Sequence, residues 1–161
     1  MFFKRKEKKP AVTSLVIKSP LSGTVVALSE VPDEAFSEGA MGQGFAVEPE
    51  AGRLVSPFSG TVVHVMEKSK HAVMLEHDSG VQILMHIGMN TVSLKGEGFK
   101  LHIENGQRVE EGQLLIEFDM AVIREAGLPT ITPVIVPNGL VSVKGVEVVL
   151  EGSDSYIRVD L

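Results

Sequence analysis

Short runs rich in β-branched residues, cut by Gly, Pro and Asp, recur along most of the chain and predict strands rather than helices. The runs are SLVIKSP, GTVVAL, GFAVEPE, RLVSPFSG, TVVHVME, HAVMLEH, VQILMHIG, QLLIEF, TPVIVP, EVVL and YIRVDL. Only PDEAFSE and DMAVIREAG have the pattern of short helices, the second with an Asp119 N-cap and a stop at Gly127. The pattern predicts an all-β fold, an antiparallel sandwich or flattened barrel with a few short helical turns.

One ten-residue sequence element occurs twice in the chain. Residues 19–28 read SPLSGTVVAL and residues 56–65 read SPFSGTVVHV, each with a proline at a strand end and Ser-Gly leading into a second strand. The segment ENGQRVEEGQLLIEF resembles the same element more weakly, with two glycines spaced around a strand. Because internal repetition usually marks one supersecondary unit used more than once, we predict a duplicated hairpin-like motif whose two copies superpose.

The amino-acid composition excludes several classes of function for this chain. The chain has 161 residues, is 43% hydrophobic and carries a formal charge of −6, which gives no electrostatic reason to bind nucleic acid. It contains no cysteine, so disulfides and thiolate chemistry are excluded. Residues 1–12 are predicted to be a flexible basic tail and 13–161 a single domain. With no bilayer-spanning run or signal peptide, we expect a cytoplasmic protein.

Two of the five histidines have a distinctive context. HAVMLEH-DSG-VQILMHIG has the pattern of a β-hairpin. A two-residue loop at Asp78 and Ser79 would place His71 directly opposite His86, and a loop one position later would put them on a same-face diagonal. A three-residue loop would separate them onto opposite faces. Gly88 leaves open space beside His86.

Paired neutral imidazoles suit either metal ligation or nucleophilic capture of a phosphoryl group. A zinc-dependent hydrolase using His71 and His86 would need a third ligand, for which Glu76 and Asp33 are candidates. A regulatory interaction module without enzymatic activity is the other alternative. No nucleotide-binding loop motif occurs, so a phosphoryl group would arrive from a partner protein rather than from bound ATP.

The stretch GVQILMHIGMNTVSLKGEGF, residues 80–99, closely resembles the active-site signature of the glucose-type enzyme IIA of the bacterial sugar phosphotransferase system. SPLSG, VPDEAF, MGQGFAVEP, KHA and TPVIV are similar to further family segments. Ser-Pro-x-Ser-Gly is also typical of biotinyl and lipoyl carrier domains, but their hairpin-tip lysine motif is absent.

The resemblance implies an antiparallel β-sandwich built from a duplicated hybrid motif. It implies that the chain, as a monomer without cofactor or metal, takes a phosphoryl group from HPr and passes it to the IIB domain of a membrane sugar permease. His86 would accept the group on Nε2 while Nδ1 bonds to the Gly88 carbonyl. His71, oriented by Ser69, would contact the phosphoryl oxygens.

The same resemblance and the strand alternation together predict an apolar docking rim around the histidine pair. Phe36 and Met41 are assigned to the rim by resemblance, and Val73 and Leu84 by alternation. An apolar patch ringed by polar residues is typical of a transient protein interface. Asn90 departs from the family pattern, since many relatives carry aspartate there.

Overall fold

The computed structural model describes residues 13–161, so the predicted tail lies outside the described residues. Antiparallel strands dominate, and they confirm the prediction of an all-β sandwich. The strands are β1 (Ser14–Lys18), β2 (Gly23–Ala27), β3 (Gly42–Pro49), β4 (Arg53–Val55), β5 (Gly60–Val65), β6 (Ala72–His77), β7 (Gln82–His86), β8 (Phe99–Leu101), β9 (Arg108–Val109), β10 (Leu114–Phe118), β11 (Thr132–Pro137), β12 (Gly145–Val149) and β13 (Tyr156–Asp160).

Two short α-helices lie where the sequence predicts them. They are α1 (Glu34–Ser37) and α2 (Met120–Glu125). Each begins after an aspartate whose side chain accepts a hydrogen bond from the backbone two residues on, Asp33 for α1 and Asp119 for α2. Three short 3₁₀ helices complete the helical content of residues 13–161, at Leu28–Glu30, Thr91–Leu94 and Gly152–Asp154. No helix in the described part of the chain is long and apolar enough to span a bilayer.

The strands form one large sheet and two small ones. The large sheet has the order β2-β3-β11-β7-β6-β5-β9, and the small sheets are β1-β13-β12 and β4-β10-β8. Buried side chains from all three sheets make one core, which includes Phe45, Leu75, Met85, Ile116 and Ile157. A smaller apolar cluster on the large sheet gathers Phe36, Ala46 and Ile135.

The repeated segments adopt the same local structure. In both, a bend at Ser-Pro leads into a strand that begins at glycine, β2 in the first copy and β5 in the second. The Ser19 and Ser56 hydroxyls each donate to the carbonyl two residues on, at 2.7 and 2.6 Å. A Cβ at Gly23 or Gly60 would lie within 2.3 Å of a carbonyl oxygen of the neighbouring strand, which explains the glycine in both copies.

The β6–β7 hairpin does not have the register that would place His71 directly opposite His86. Ala72, not His71, pairs with His86, and the His77 amide donates to the Val81 carbonyl around a three-residue loop. Gly80 takes φ +92°, which a three-residue hairpin loop with a left-handed third residue requires. Of the loops that the sequence allows, the hairpin therefore forms the three-residue one.

Compared with the two-residue loop, this loop exchanges the two faces of one strand relative to the other, because side chains alternate along a strand. Val73 pairs with Met85, and both lie in the main core. The assignment of Val73 to the docking rim is therefore wrong: the side chain is 1% exposed. Leu84 instead packs against the smaller cluster and stays half-buried.

Candidate functional site

The structure brings the imidazoles of His71 and His86 into contact. Their ring centroids are 4.7 Å apart and their planes make an angle of 83°, so the edge of one ring meets the face of the other. The three-residue hairpin loop should have separated them, and the prediction that it would do so is wrong. The reason lies in the backbone before β6.

His71 is outside β6 and follows Lys70, which has φ +60°. A left-handed residue breaks the extended conformation, so strand alternation no longer fixes the direction of the next side chain. The His71 carbonyl still accepts the Ile87 amide at 2.7 Å, which ties it to the end of β7. The backbone of His71 thus continues the hairpin pairing, while the turn at Lys70 allows its side chain to lie beside His86.

His86 is the last residue of β7, and both faces of this strand are occupied. Ile83 and Met85 enter the main core, whereas Leu84 packs on the smaller cluster. By alternation His86 shares the Leu84 side, and the Phe36 ring lies over it at 5.3 Å between centroids. The apolar run around His86 therefore reflects a central strand buried on both faces.

The tautomer of neutral His86 follows from one contact. Nδ1 lies 2.7 Å from the Gly88 carbonyl oxygen, which can only accept, so Nδ1–H is the donor. The lone pair of the neutral ring is then on Nε2. This contact agrees with the one that the family resemblance implies.

Gly88 can hold its carbonyl there because it has no side chain. It adopts φ +69°, and a Cβ would lie 2.7 Å from Thr91 Cγ2 and 2.8 Å from the Pro129 carbonyl oxygen. Thr91 and the Pro129 carbonyl were not singled out by sequence reasoning. Thr91 lies within the glycine-spaced run, which does not reveal its hydrogen bond, and no sequence signal marks Pro129.

Burial keeps both rings neutral near pH 7, and for His71 the nearby His86 adds to this effect. Burial, together with the nearby His86, lowers the pKa of His71 to about 4, and the Ser69 backbone acts in the opposite direction. Burial also lowers the pKa of His86, while the Gly88 carbonyl and the Asp33 carboxylate oppose that shift. The site therefore offers an unprotonated nucleophile at neutral pH.

The depressed pKa of His71 predicts that acid weakens the fold. In the unfolded chain a histidine titrates near pH 6.5, so between there and about pH 4 the unfolded state binds a proton that folded His71 excludes. The free energy of unfolding should thus fall as pH drops through this window, in part because of His71. Urea denaturation at pH 7.5 and 4.5 should show a smaller pH dependence in His71→Gln than in the unsubstituted protein. Equal pH dependence in the two proteins would contradict this assignment.

Ser69 lies next to the pair but does not make the expected hydrogen bond. Ser69 is only 6% exposed. Neither Ser69 Oγ nor His71 Nδ1 has a hydrogen-bond partner among the described residues. The expectation that the hydroxyl already orients the His71 ring is therefore not met in this conformation. Buried polar atoms without partners are uncommon and often occur at functional sites.

The remaining rim residues differ in exposure. Phe36 is only 6% exposed and packs on the His86 ring, so it supports that ring more than it offers surface to a partner. Met41, just before β3, is 40% exposed. Met41 and the half-buried Leu84 remain candidates for the docking rim.

Lys70 has a left-handed backbone conformation, which is energetically unfavourable for a lysine. At φ +60° its Cβ is crowded, a cost of about 1–2 kcal/mol that asparagine tolerates better. We expect Lys70→Asn to raise the free energy of unfolding by about 0.5–1 kcal/mol, measured by urea denaturation. Lys68→Asn, at an exposed position of the same loop, is the control and should change stability little. Destabilisation by Lys70→Asn would show that its packing over Gly96 outweighs the strain.

The zinc alternative gains no support from the arrangement of acidic groups. Within residues 13–161, no three His, Asp or Glu side chains come together in a way that could hold a metal ion. Asp33 acts on the charge of His86 but is engaged as the N-cap of α1, where it accepts from Ala35 at 2.9 Å. The proposed third ligands do not complete a metal site with the two histidines.

Residues 15–140 match the family model of the phosphoenolpyruvate-dependent sugar phosphotransferase system, EIIA 1. The chain belongs to the EIIA type 1 family. A solved structure, glucose permease IIA from Mycoplasma capricolum, superposes with a TM-score of 0.76 at 34% sequence identity, covering 90% of this chain and 95% of that one. This EIIA is accordingly a phosphocarrier component of sugar uptake, and the hydrolase and interaction-module alternatives are not supported.

Proposed function

We propose that His86 accepts a phosphoryl group from phospho-HPr in the cytoplasm and passes it to the IIB domain of a sugar permease. The single observation that carries this proposal is the 2.7 Å bond from Nδ1–H of His86 to the Gly88 carbonyl. It leaves a lone pair on Nε2 of a ring that burial keeps neutral. A fixed neutral imidazole with one free nitrogen is a nucleophile that needs no separate base.

The transfer balances without a proton leaving the site. Nε2 of His86 forms a bond to phosphorus as the P–N bond to the HPr histidine breaks, and the HPr ring departs with that electron pair. The His86 ring gains positive charge in this step. The Gly88 carbonyl, which accepts from Nδ1–H, and the Asp33 carboxylate both favour that charge. Positioning and electrostatics supply most of what phosphoryl transfer requires.

His71 is proposed to donate a hydrogen bond to the phosphoryl oxygens. Its ring already contacts that of His86, and its low pKa means that it donates as a neutral group. If the Nε2–H group of His71 donates this hydrogen bond, Nδ1 of the neutral ring carries a lone pair and needs a hydrogen-bond donor. The Ser69 hydroxyl, unpartnered among the described residues and two positions away in the chain, is suited to that role once the phosphoryl group is bound.

The test is phosphorylation in a defined system. The protein is incubated with phosphoenolpyruvate, enzyme I and HPr, and its intact mass is recorded with HPr omitted as the control. We expect a gain of one phosphoryl group that requires HPr and is lost on addition of a purified IIB domain. A mass that stays unchanged with all components present would refute the proposed function.

A further inference from the structure

Thr91 is a fully buried threonine three residues beyond Gly88. It is 0% exposed, and its Oγ1 donates to the Ile87 carbonyl at 2.6 Å. Its methyl group fills the space where a Gly88 side chain would otherwise project, 2.7 Å from that Cβ position. Thr91 therefore contacts both residues that follow His86, although no contact with the His86 ring is needed for its effect.

The Ile87 backbone is fixed on both sides. Its amide donates to the His71 carbonyl at 2.7 Å, and its carbonyl accepts from Thr91. Two residues after Ile87, the Met89 amide donates to the Pro129 carbonyl at 3.1 Å. The Gly88 carbonyl lies in the same planar peptide as the Met89 amide, so its direction is set from two sides, by the bond to Pro129 and by the hold of Thr91 on Ile87.

We propose that Thr91 is a positioning residue that sets the tautomer of His86. Its hydroxyl holds Ile87 so that the Gly88 carbonyl faces Nδ1 of His86 and accepts its N–H. A neutral imidazole has a single N–H, and if that hydrogen moves to Nε2 the ring has no lone pair at the nitrogen proposed to attack phosphorus. The hydroxyl of Thr91 thus controls reactivity without touching the reacting atoms.

The primary measurement is the ¹⁵N spectrum of the His86 ring at pH 7.5, without any phosphoryl donor. The unsubstituted protein should show only the Nδ1–H tautomer. Thr91→Val keeps the shape but removes the hydroxyl, leaving the Ile87 carbonyl unpaired, and it should show a mixture of tautomers. Thr91→Ser restores the donor and should return the spectrum to the single tautomer.

The secondary measurement rests on the proposed function and is kept separate from the first. We expect Thr91→Val to accept a phosphoryl group from HPr about 3-fold to 10-fold more slowly, the loss typical of one hydrogen bond. Thr91→Ser should accept at close to the original rate. Because the tautomer is read without a donor, a protein that never accepts a phosphoryl group would refute the proposed function and leave the tautomer result standing.

A matched control distinguishes positioning from general loss of stability. Thr132 is also 0% exposed, and its Oγ1 donates to the Thr130 carbonyl at 3.0 Å. Thr132→Val should lower stability by a similar route while leaving the His86 tautomer unchanged. Should Thr91→Val fail to fold, Thr91→Ala removes the hydroxyl without placing a methyl group against Ile87, and its comparison with Thr91→Ser is the same.

Three outcomes would overturn the proposal. A single Nδ1–H tautomer in Thr91→Val, or in its Ala substitute, would show that Gly88 is held without the hydroxyl. Equal disturbance in Thr91→Val and in Thr91→Ser, which keeps the hydroxyl, would show that the hydroxyl is not what holds the tautomer. A tautomer mixture in Thr132→Val would show that any loss of core stability loosens the site.

Discussion

His86→Gln is expected to abolish phosphoryl acceptance from HPr. The glutamine side chain can still hydrogen-bond, but it has no nucleophilic nitrogen, since the amide lone pair is delocalised into the carbonyl. His86 is the residue whose Nδ1–H is bound to the Gly88 carbonyl and whose Nε2 is therefore free. Intact mass after incubation with phosphoenolpyruvate, enzyme I and HPr should show no phosphorylated species.

The control for this prediction is His64→Gln, which alters an exposed histidine on β5 without disturbing the pair. That variant should gain one phosphoryl group as the unsubstituted protein does. Circular dichroism and thermal unfolding confirm that each variant is folded before the mass is read. Phosphorylation of folded His86→Gln would place the acceptor at another residue.

His71→Gln is expected to separate acceptance from onward transfer. Acceptance needs chiefly the Nε2 lone pair of His86, and the Gln amide can still donate one hydrogen bond to a bound phosphoryl group. Passing the group on requires its oxygens to be held in place as a new acceptor approaches in line. Loss of one well-placed donor typically costs ~10²–10³ in rate, so transfer to the IIB domain should slow by about that factor.

The assay for this variant has two steps. The phosphoprotein is formed with HPr and purified, and its loss of mass is then followed after mixing with a IIB domain. Ser69→Ala is an informative companion, since it removes the hydroxyl proposed to orient His71 and should slow transfer less than His71→Gln. Normal transfer by His71→Gln would show that His71 has no role in onward transfer. Failure of that variant to accept a phosphoryl group would place His71 in the nucleophilic step itself.

Strand positions were predictable because apolar periodicity and turn residues mark them directly. Each strand-like run of the sequence forms a strand in the structure. The strands β8 and β9, of three and two residues, were not predicted. The strand β4 is as short as β8, but the Ser-Pro that follows it marks its end in the sequence. The helices were predictable from their caps, since aspartate at the N-cap satisfies backbone amides that the helix leaves free.

Register was harder to predict, because it depends on one turn. Whether Asp-Ser-Gly forms a two-residue or a three-residue loop is decided by the backbone of Gly80, and both loops fit the same letters. The error of one position carried Val73 to the wrong face. Sequence reasoning cannot assign faces in a hairpin more securely than it assigns the loop.

The histidine pair came together for a reason that the sequence did not disclose. A lysine at φ +60° is not what local preference predicts at position 70, so the bend before His71 comes from tertiary packing. The same limit applies to Thr91, whose hydrogen bond to Ile87 depends on a 3₁₀ turn rather than on any motif. Backbone geometry around the site had to be observed.

The central claim is that the phosphoryl group resides on Nε2 of His86, and NMR of the phosphoprotein tests it most directly. The ¹⁵N-labelled protein is phosphorylated with HPr, and ³¹P–¹⁵N couplings identify the nitrogen that carries phosphorus. We predict one coupled nitrogen, Nε2 of His86, with Nδ1 still protonated and bonded to the Gly88 carbonyl. A phosphoryl group on Nδ1 of His86, or on either nitrogen of His71, would contradict the account.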